Sequence, residues 1–327
     1  MAPNITNPDW QSPNAWLRKP EVDASAVAAL IKRLEKPKGP VDVVLDTDTF
    51  NEIDDQFALA YLIKKEKELK LRAIYAAPFY NTKATSPGDG MEKSYDEILR
   101  VLSLMKRDDL KSIVYRGSTE YLPSETEPVA SEAAEHLVNL ASDYSTEKPL
   151  YVIAIGAITN VASALLMKPE LKDKIVIVWL GGHAHDWHTN VEFNLYQDVA
   201  GARIIFDCGV PLIQLPCMGV VSAFTTCGPE LEYWLRGKNE LCDYLVDATT
   251  AYALEVGGLS TWTRAIWDVT AVAWLLDETF MYDCLVPSPM PDYNHYYSFD
   301  KTRHPIRYVY HIERDALFKD LFETLAK

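Results

Sequence analysis

Four aspartates, Asp46, Asp48, Asp54 and Asp55, lie within ten residues of one another in the segment VVLDTDTFNEIDDQFALAYLI, which spans 43–63. Two carboxylates about 4 Å apart repel each other by roughly 4 kcal/mol at an effective dielectric constant of about 20. No Lys or Arg lies between positions 45 and 63, so a folded cluster needs either a bound cation or shared protons. Ligands that are all oxygen favour a hard cation such as Ca²⁺ or Mg²⁺.

The elements around this segment predict how it is positioned. The apolar run at 41–45 is typical of a strand buried on both faces, and apolar residues recur at helical spacing over 55–65. Further apolar runs predict strands at 71–77, 150–155, 174–179 and 211–215, with helices at 95–104, 131–142, 158–167 and 199–206. This alternation predicts an α/β fold, a doubly wound and mostly parallel sheet with helices on both faces. Ligands of such sheets bind beyond the carboxyl ends of the strands, where Asp46 and Asp48 are expected.

The ends of the chain differ from this pattern. Residues 1–37 contain five prolines and predict an extended arm, with a short helix at 24–34. Residues 38–327 then form a single domain. Beyond position 228 the pattern is mostly helical, with helices expected at 230–235, 241–254 and 268–276. An edge strand at 307–311 and a short C-terminal helix are expected to follow.

Composition excludes several functions. Net charge is 32 − 47 = −15, so no basic face for nucleic acid is expected. No apolar stretch is long enough to span a membrane, and the first residues do not resemble a secretory signal. The five cysteines are scattered without a CxxC pair, which favours a reducing compartment and predicts a cytoplasmic protein.

Two families share the start of the acidic segment. LDTDT resembles the nucleophile loop of haloacid-dehalogenase-type phosphatases, in which Asp46 would be the nucleophile. The segment is more similar to the signature of the nucleoside hydrolase family, in which a strand is followed by DxD, a short loop, and DD opening a helix. Here the loop is two residues longer than the usual form and lacks its Pro-Gly.

Three further segments resemble the nucleoside hydrolase family in the expected order. IAIGAITNVASALL, at 153–166, is similar to its strand-Gly-x-x-Thr-Asn-helix segment. The triplet Glu192-Phe193-Asn194 follows Gly181-Gly182 and resembles the family's ribose-binding ExN element. Asp268 opens a predicted helix, as a metal-binding aspartate of the family does. The preceding residue is Trp267 rather than His, as in the purine-preferring branch.

The resemblance implies hydrolysis of the N-glycosidic bond of a small nucleoside substrate, which gives free base and ribose. It implies a Ca²⁺ ion that activates water, bound by Asp48, Asp55, Asp268 and the backbone carbonyl of Ile155. Asp48 would be the general base, and Asp46 would lie behind the ligands and orient the loop. The implied substrate contacts are Asp54 at the 2′-hydroxyl, Glu192 and Asn194 toward the 5′-hydroxyl, Asn81 on the sugar, and Trp267 on the base. A homo-oligomer, either a dimer or a tetramer, is also implied.

Several alternatives stay open. His183, His185 and His188 could form a zinc site, or one of them could protonate the leaving base. Asp186 or Asn190 could add a ribose contact. The chain could instead be a phosphatase, or a binder of ribose and metal that has lost catalysis. The preferred base, and whether the substrate is a nucleoside or another ribosylated compound, are also open.

Overall fold

The computed structural model describes residues 23–258 and 261–327. An eight-stranded sheet forms the centre, in the order β3-β2-β1-β4-β5-β6-β12-β9, and every neighbouring pair is parallel except β12 and β9. Its strands are β1 Val41–Thr47, β2 Leu69–Ala76, β3 Val114–Arg116, β4 Leu150–Ala154, β5 Ile175–Leu180, β6 Leu212–Leu215, β9 Met281–Pro287 and β12 Pro305–Ile312. Two small antiparallel pairs are β7 Thr225–Cys227 with β8 Thr263–Ala265, and β10 Met290–Pro291 with β11 Tyr297–Ser298.

Helices cover both faces of the sheet. They are α1 Ala24–Arg33, α2 Asp55–Lys64, α3 Pro87–Leu104, α4 Glu132–Leu140, α5 Thr159–Met167, α6 Phe193–Gln197, α7 Val199–Asp207, α8 Gly228–Leu235, α9 Glu240–Gly257, α10 Val269–Trp274 and α11 Arg314–Leu325. Side chains alternate along a strand, so Val43 and Leu45 of β1 belong to the core beneath α2, α10 and α11, and Val44 belongs to the core beneath α4, α5 and α7. The doubly wound, mostly parallel α/β sheet in one domain is therefore confirmed.

Three sequence-based expectations about individual elements need correction. The strand expected at the sheet edge, 307–311, is the inner neighbour of β9, which is the true edge. Neither β9 nor the three-residue β3 was predicted. The helix α3 begins eight residues before the expected position 95, because Ser86 caps it through the Asp89 N–H and Pro87 occupies its first turn.

The N-terminal arm can be compared only in part. Residues 1–22 lie outside the described residues, and so does most of the predicted arm. The short helix expected at 24–34 is α1, capped by Asp23. Among the described residues, no helix combines the length and the apolar character that crossing a membrane requires.

Candidate active site

A cavity with about 600 Å³ of empty space opens at the carboxyl ends of β1, β4 and β5. One group of lining residues is acidic or polar and comes from the loop after β1 and the start of α10: Asp48, Asn51, Glu52, Asp54, Asp55 and Asp268. The others are Ile155, Leu180, His183, Val191, Glu192, Phe193, Asn194, Cys217, Met218 and Trp267.

Three carboxylates of the cavity lie close enough together to hold one cation. Each of Asp54, Asp55 and Asp268 offers an oxygen, and these oxygens lie within 4.8 Å of one another. The Asp268 N–H donates to Asp54 Oδ2 at 3.3 Å, which ties the start of α10 to the loop before α2. The Thr47 hydroxyl donates to Asp55 Oδ1 at 2.5 Å. The structure thus brings together aspartates that are more than 200 residues apart in sequence.

Asp48 faces the same cavity and is almost completely buried. Its Oδ2 atom has no hydrogen-bond partner among the described residues. Gly156, just after β4, lies close to this residue: a Cβ there would be 3.2 Å from the Asp48 nitrogen and 3.3 Å from its Cβ, which is tighter than most Cβ contacts. Asp48 therefore presents a free carboxylate oxygen beside the three clustered acids.

Burial makes the ionised form of these acids costly. It raises the pKa of Asp48, Asp54 and Asp268 well above the usual range, and repulsion between the carboxylates raises each further. Burial also raises the pKa of Asp55 to about 7, although its bond from Thr47 opposes the shift. Without a cation, the cluster holds protons at pH values where exposed aspartates are ionised. A divalent cation would remove this cost, and the all-oxygen donors suit a hard one.

Asp46 lies behind the cavity rather than in it. Its side chain is fully buried, and Oδ1 accepts a hydrogen bond of 2.8 Å from Asn160 Nδ2. The Asn160 Oδ1 in turn accepts from the backbone N–H and the hydroxyl of Ser118. The Asp46 carbonyl accepts from the N–H of Ile155, so this network joins the end of β1 to the end of β4. The Asn160 contact was not predicted from sequence.

Glu192 and Asn194 line the cavity, and the Glu192 side chain caps the start of α6. The Glu192 carboxylate accepts hydrogen bonds from the backbone N–H groups of Asn194, Leu195 and Gly182. Gly182 has φ +76°, and a Cβ there would lie 2.0 Å from Tyr297 Oη, so this strand end needs a glycine. Asn194 Nδ2 donates to the Leu180 carbonyl, and its Oδ1 accepts no hydrogen bond from the described residues.

The longer loop at 49–53 is anchored from outside the cavity. Asn81, expected to touch the sugar, does not line the cavity and instead donates to Asn51 Oδ1 at 2.7 Å. Lys83 Nζ donates to the Asn51 carbonyl, and Arg264 pairs with Glu52 at 2.9 Å. Sequence reasoning did not single out Glu52 or Arg264, because 212 positions separate them and neither belongs to a recognised motif.

The histidines do not form a metal site. Within 23–258 and 261–327, the acidic trio is the one group of three ligand-type side chains that are close enough to share an ion. His183 lines the cavity, where its Nδ1 accepts from the Met218 N–H and its Nε2 lies 3.1 Å from the Val191 carbonyl. Both ring nitrogens are therefore engaged in the neutral form, with Nε2 as donor. His185 is bonded to Gln214 behind the cavity.

Trp267 and Ile155 line the cavity. Asp186 and Asn190 do not line the cavity. The Asn190 Oδ1 accepts from the His183 N–H and so shapes the loop. Phe193, Cys217 and Met218 are lining residues that sequence reasoning missed, because apolar loop residues carry no signal by themselves.

Known proteins were compared with this chain. The family model described as inosine-uridine preferring nucleoside hydrolase matches residues 43–315. The pyrimidine-specific ribonucleoside hydrolase RihA of Salmonella typhi is 29% identical over 195 residues, which are 53% of this chain and 58% of that protein. The chain thus matches little more than half the length of these curated relatives.

Solved structures with the same fold include a purine-preferring ribonucleoside hydrolase from Gardnerella vaginalis, with a TM-score of 0.72 and 21% identity. The superposition covers 87% of this chain and 98% of that one. A plant nucleoside hydrolase superposes with a TM-score of 0.69 and 19% identity, covering 88% and 99%. At these identities the structural likeness establishes the fold, and the family model, which matches most of the chain, establishes the family. The chain belongs to the inosine-uridine preferring nucleoside hydrolase family.

Proposed function

We propose that this protein hydrolyses the N-glycosidic bond of ribonucleosides to free base and ribose. The observation that carries the proposal is the cavity itself. It places the buried acidic cluster of Asp54, Asp55 and Asp268, with Asp48 beside it, in one space with Glu192 and Asn194. Cleavage of such a bond passes through a ribose with oxocarbenium character, and buried carboxylates stabilise developing positive charge.

The proposed cation is Ca²⁺, held by Asp48, Asp55, Asp268 and the Ile155 carbonyl. Two observations support the fit, namely the unpaired Oδ2 of Asp48 and a donor set made of oxygen alone. When bound, Ca²⁺ would lower the pKa of a water molecule and hold it near the sugar. Asp54 is the third member of the acidic trio and is assigned to the 2′-hydroxyl of the ribose.

Asp48 is proposed as the general base. Its Oδ2, which has no hydrogen-bond partner among the described residues, would bind the cation, and the other oxygen of the carboxylate would accept a proton from a water molecule in the cavity. Asp46 and Asn160 position the strand end that carries it. These residues thereby hold the acceptor atom in place before substrate binds.

The sugar and the base are assigned to opposite parts of the cavity. Glu192 and Asn194 are proposed to face the 5′ side of the ribose, and Asn194 Oδ1, which accepts no hydrogen bond from the described residues, can accept one from a sugar hydroxyl. Trp267 is proposed to stack on the base. His183 would have to break its contact with Val191 to protonate the leaving base, so stacking rather than a histidine acid is the proposed aid to departure. Asn81 acts on the sugar only through Asn51.

The substrate is proposed to be a nucleoside rather than a nucleotide. The acidic side of the cavity alone contributes five aspartate or glutamate residues, and the residues that line the cavity include no Lys or Arg. A 5′-phosphate would therefore meet carboxylates without a cationic partner. Inosine should be hydrolysed at least about 100-fold faster than inosine 5′-phosphate at equal low concentration, a difference of about 2.7 kcal/mol. Equal turnover of the two would contradict the proposal.

The other functions considered have less support. The family match does not favour a phosphatase, and Asp46, its required nucleophile, is fully buried and absent from the cavity wall. A protein that binds ribose and metal without catalysis would show ligand binding and no release of ribose. All five cysteines are free. The cytoplasmic location stays a prediction. A dimeric or tetrameric assembly also stays a prediction, and light scattering would measure it.

The decisive experiment is a panel of purine and pyrimidine ribonucleosides incubated with the protein, with chelator and after restoring Ca²⁺, and assayed for free ribose. Release of ribose that chelator abolishes and Ca²⁺ restores supports the proposal. The relatives named above include both pyrimidine-specific and purine-preferring enzymes, so the panel also determines the preferred base. Absence of ribose from every nucleoside in the presence of Ca²⁺ overturns the proposed function.

A further inference from the structure

The carboxylate of Glu192 is already fully hydrogen-bonded by the protein. Its Oε2 accepts from the N–H groups of Gly182 at 2.8 Å and Leu195 at 2.9 Å. Its Oε1 accepts from the Asn194 N–H at 3.0 Å and from the Cys217 thiol at 3.4 Å. A carboxylate offers about four acceptor positions, so no position is left open for a donor on a ligand.

One of these four donors, the Cys217 thiol, belongs to a side chain and not to the backbone. The three N–H groups belong to the backbone of the strand end and of α6, and they are fixed by the fold. The Cys217 thiol is a weak donor on a side chain that can rotate, and it lines the cavity. Burial, together with the nearby Glu192 carboxylate, raises the pKa of Cys217 well above its usual range, so the sulfur keeps its proton and remains a donor.

The surroundings of this pair are apolar. Val191 and Phe193 flank Glu192 in sequence, Met218 follows Cys217, and all three line the cavity. A ligand group that reaches this part of the cavity therefore meets sulfur and hydrocarbon, and a carboxylate whose acceptor positions are taken. Asn194 Oδ1, which accepts no hydrogen bond from the described residues, is left as an acceptor for a hydroxyl. These surroundings therefore admit an apolar substituent as well as a hydroxyl.

We infer that Cys217 determines specificity at the 5′ position of the sugar, because its thiol occupies the acceptor position on Glu192 that a 5′-hydroxyl would use. The substrate class then includes nucleosides that lack the 5′-hydroxyl or carry an apolar group, such as a thioether, in its place. This inference rests on the proposed function and on the assignment of Glu192 to the 5′ side of the ribose.

The expected discrimination follows from how polar and apolar sites select. A site built to hydrogen-bond a hydroxyl rejects the analogue that lacks it by about 10⁴-fold or more, whereas an apolar pocket separates substrates that differ by one small group by at most about 200-fold. The wild-type protein should therefore prefer a ribonucleoside over its 5′-deoxy counterpart by less than about 200-fold in kcat/KM. Cys217→Ala frees the acceptor and should raise this preference about 10-fold, the effect of one hydrogen bond.

Two further variants separate the donor from the size of the side chain. Cys217→Ser keeps a hydrogen-bond donor beside Glu192, so the preference for the 5′-hydroxyl should stay within about threefold of wild type. Cys284→Ala is the matched control, since it removes an exposed thiol on β9, outside the cavity. It should leave both kcat/KM values unchanged.

The experiment measures kcat/KM for uridine, inosine and their 5′-deoxy forms, for the wild type and the three variants in Ca²⁺, with thermal unfolding as the check on folding. A wild-type preference above about 200-fold overturns the inference whatever the variants do. An unchanged preference in a folded Cys217→Ala variant overturns it too. Both of these results require an active enzyme. If the proposed function itself fails, no ribonucleoside is hydrolysed by any variant, and the inference fails with it.

Discussion

Binding of Ca²⁺ should stabilise the fold measurably, because the cation relieves repulsion between acids that the fold holds together. Asp48, Asp54, Asp55 and Asp268 are each at most 4% exposed. A ligand that binds only the folded state at about 100 times its Kd adds about 2.7 kcal/mol to the free energy of unfolding. With about 2.1 cal/mol/K of unfolding entropy per residue, the 327 residues give about 0.7 kcal/mol/K, so Tm should rise by about 4 °C.

The size of this shift should depend on pH. The pKa of Asp55 is raised to about 7 from the 3.8 of an unperturbed aspartate, and so is that of Asp46. The folded state therefore holds extra protons between about pH 4 and pH 7, and the stability of the cation-free protein falls as pH rises through that window. Protons also compete with the cation for the same oxygens. The rise in Tm on adding Ca²⁺ should be larger at pH 8 than at pH 5.

Thermal unfolding followed by circular dichroism, in chelator and in excess Ca²⁺, measures the effect. Asp268→Asn should reduce the shift to below about 1 °C, since one charged ligand is lost, and its cation-free form should be at least as stable as wild type because one repelling carboxylate is gone. Glu323→Gln, an exposed carboxylate of α11, is the control and should keep the full shift. The reasoning is refuted if Ca²⁺ leaves the wild-type Tm unchanged at pH 8, or if Asp268→Asn responds as the control does.

Three substitutions test other parts of the site. Asp48→Asn should reduce kcat for ribose release by at least about 100-fold with an unchanged circular dichroism spectrum, as expected for loss of a general base, and normal activity would remove Asp48 from that role. Asn160→Ala leaves the Asp46 carboxylate without its side-chain donor, so denaturant titration should show a loss of about 1–3 kcal/mol. A loss near zero would mean that water replaces the amide. Arg264→Ala breaks a partly exposed pair with Glu52 and should cost less than about 1 kcal/mol of stability, while KM rises because the loop loses an anchor. An unchanged KM would show that the pair does not shape the cavity.

The sequence predicted those parts of the fold and the site that depend on local pattern. The nearly continuous apolar run at 41–45 predicted a strand buried on both faces, and β1 Val41–Thr47 is that strand; its carboxyl end was expected to place Asp46 and Asp48 at the ligand-binding edge. Strand β9 was missed because Asp283 and Pro287 leave an apolar run of only three residues, 284–286, between them. It therefore lacks the apolar run that identified the inner strands, and the adjacent 307–311 was taken for the edge.

Contacts between distant loops could not be predicted. The Asn160–Asp46 bond joins positions 114 apart, and the Arg264–Glu52 pair joins positions 212 apart. Each depends on which distant segments of the chain meet in the fold, and the hydrophobic pattern carries no information on that. Only Asp268, at a similar separation, was found, because it resembled a recognised segment that opens a helix.

The cavity contains two kinds of buried carboxylate, and their hydrogen bonding separates their roles. Glu192 accepts three hydrogen bonds from the backbone and a fourth from the Cys217 thiol, and these bonds oppose the rise that burial causes in its pKa. Asp48 has an oxygen without a partner among the described residues and a pKa raised well above the usual range by burial and like charges. A satisfied carboxylate shapes the space around a ligand, whereas an unsatisfied one binds a cation or a proton. The chemistry is therefore expected at Asp48 and the selection of the sugar at Glu192.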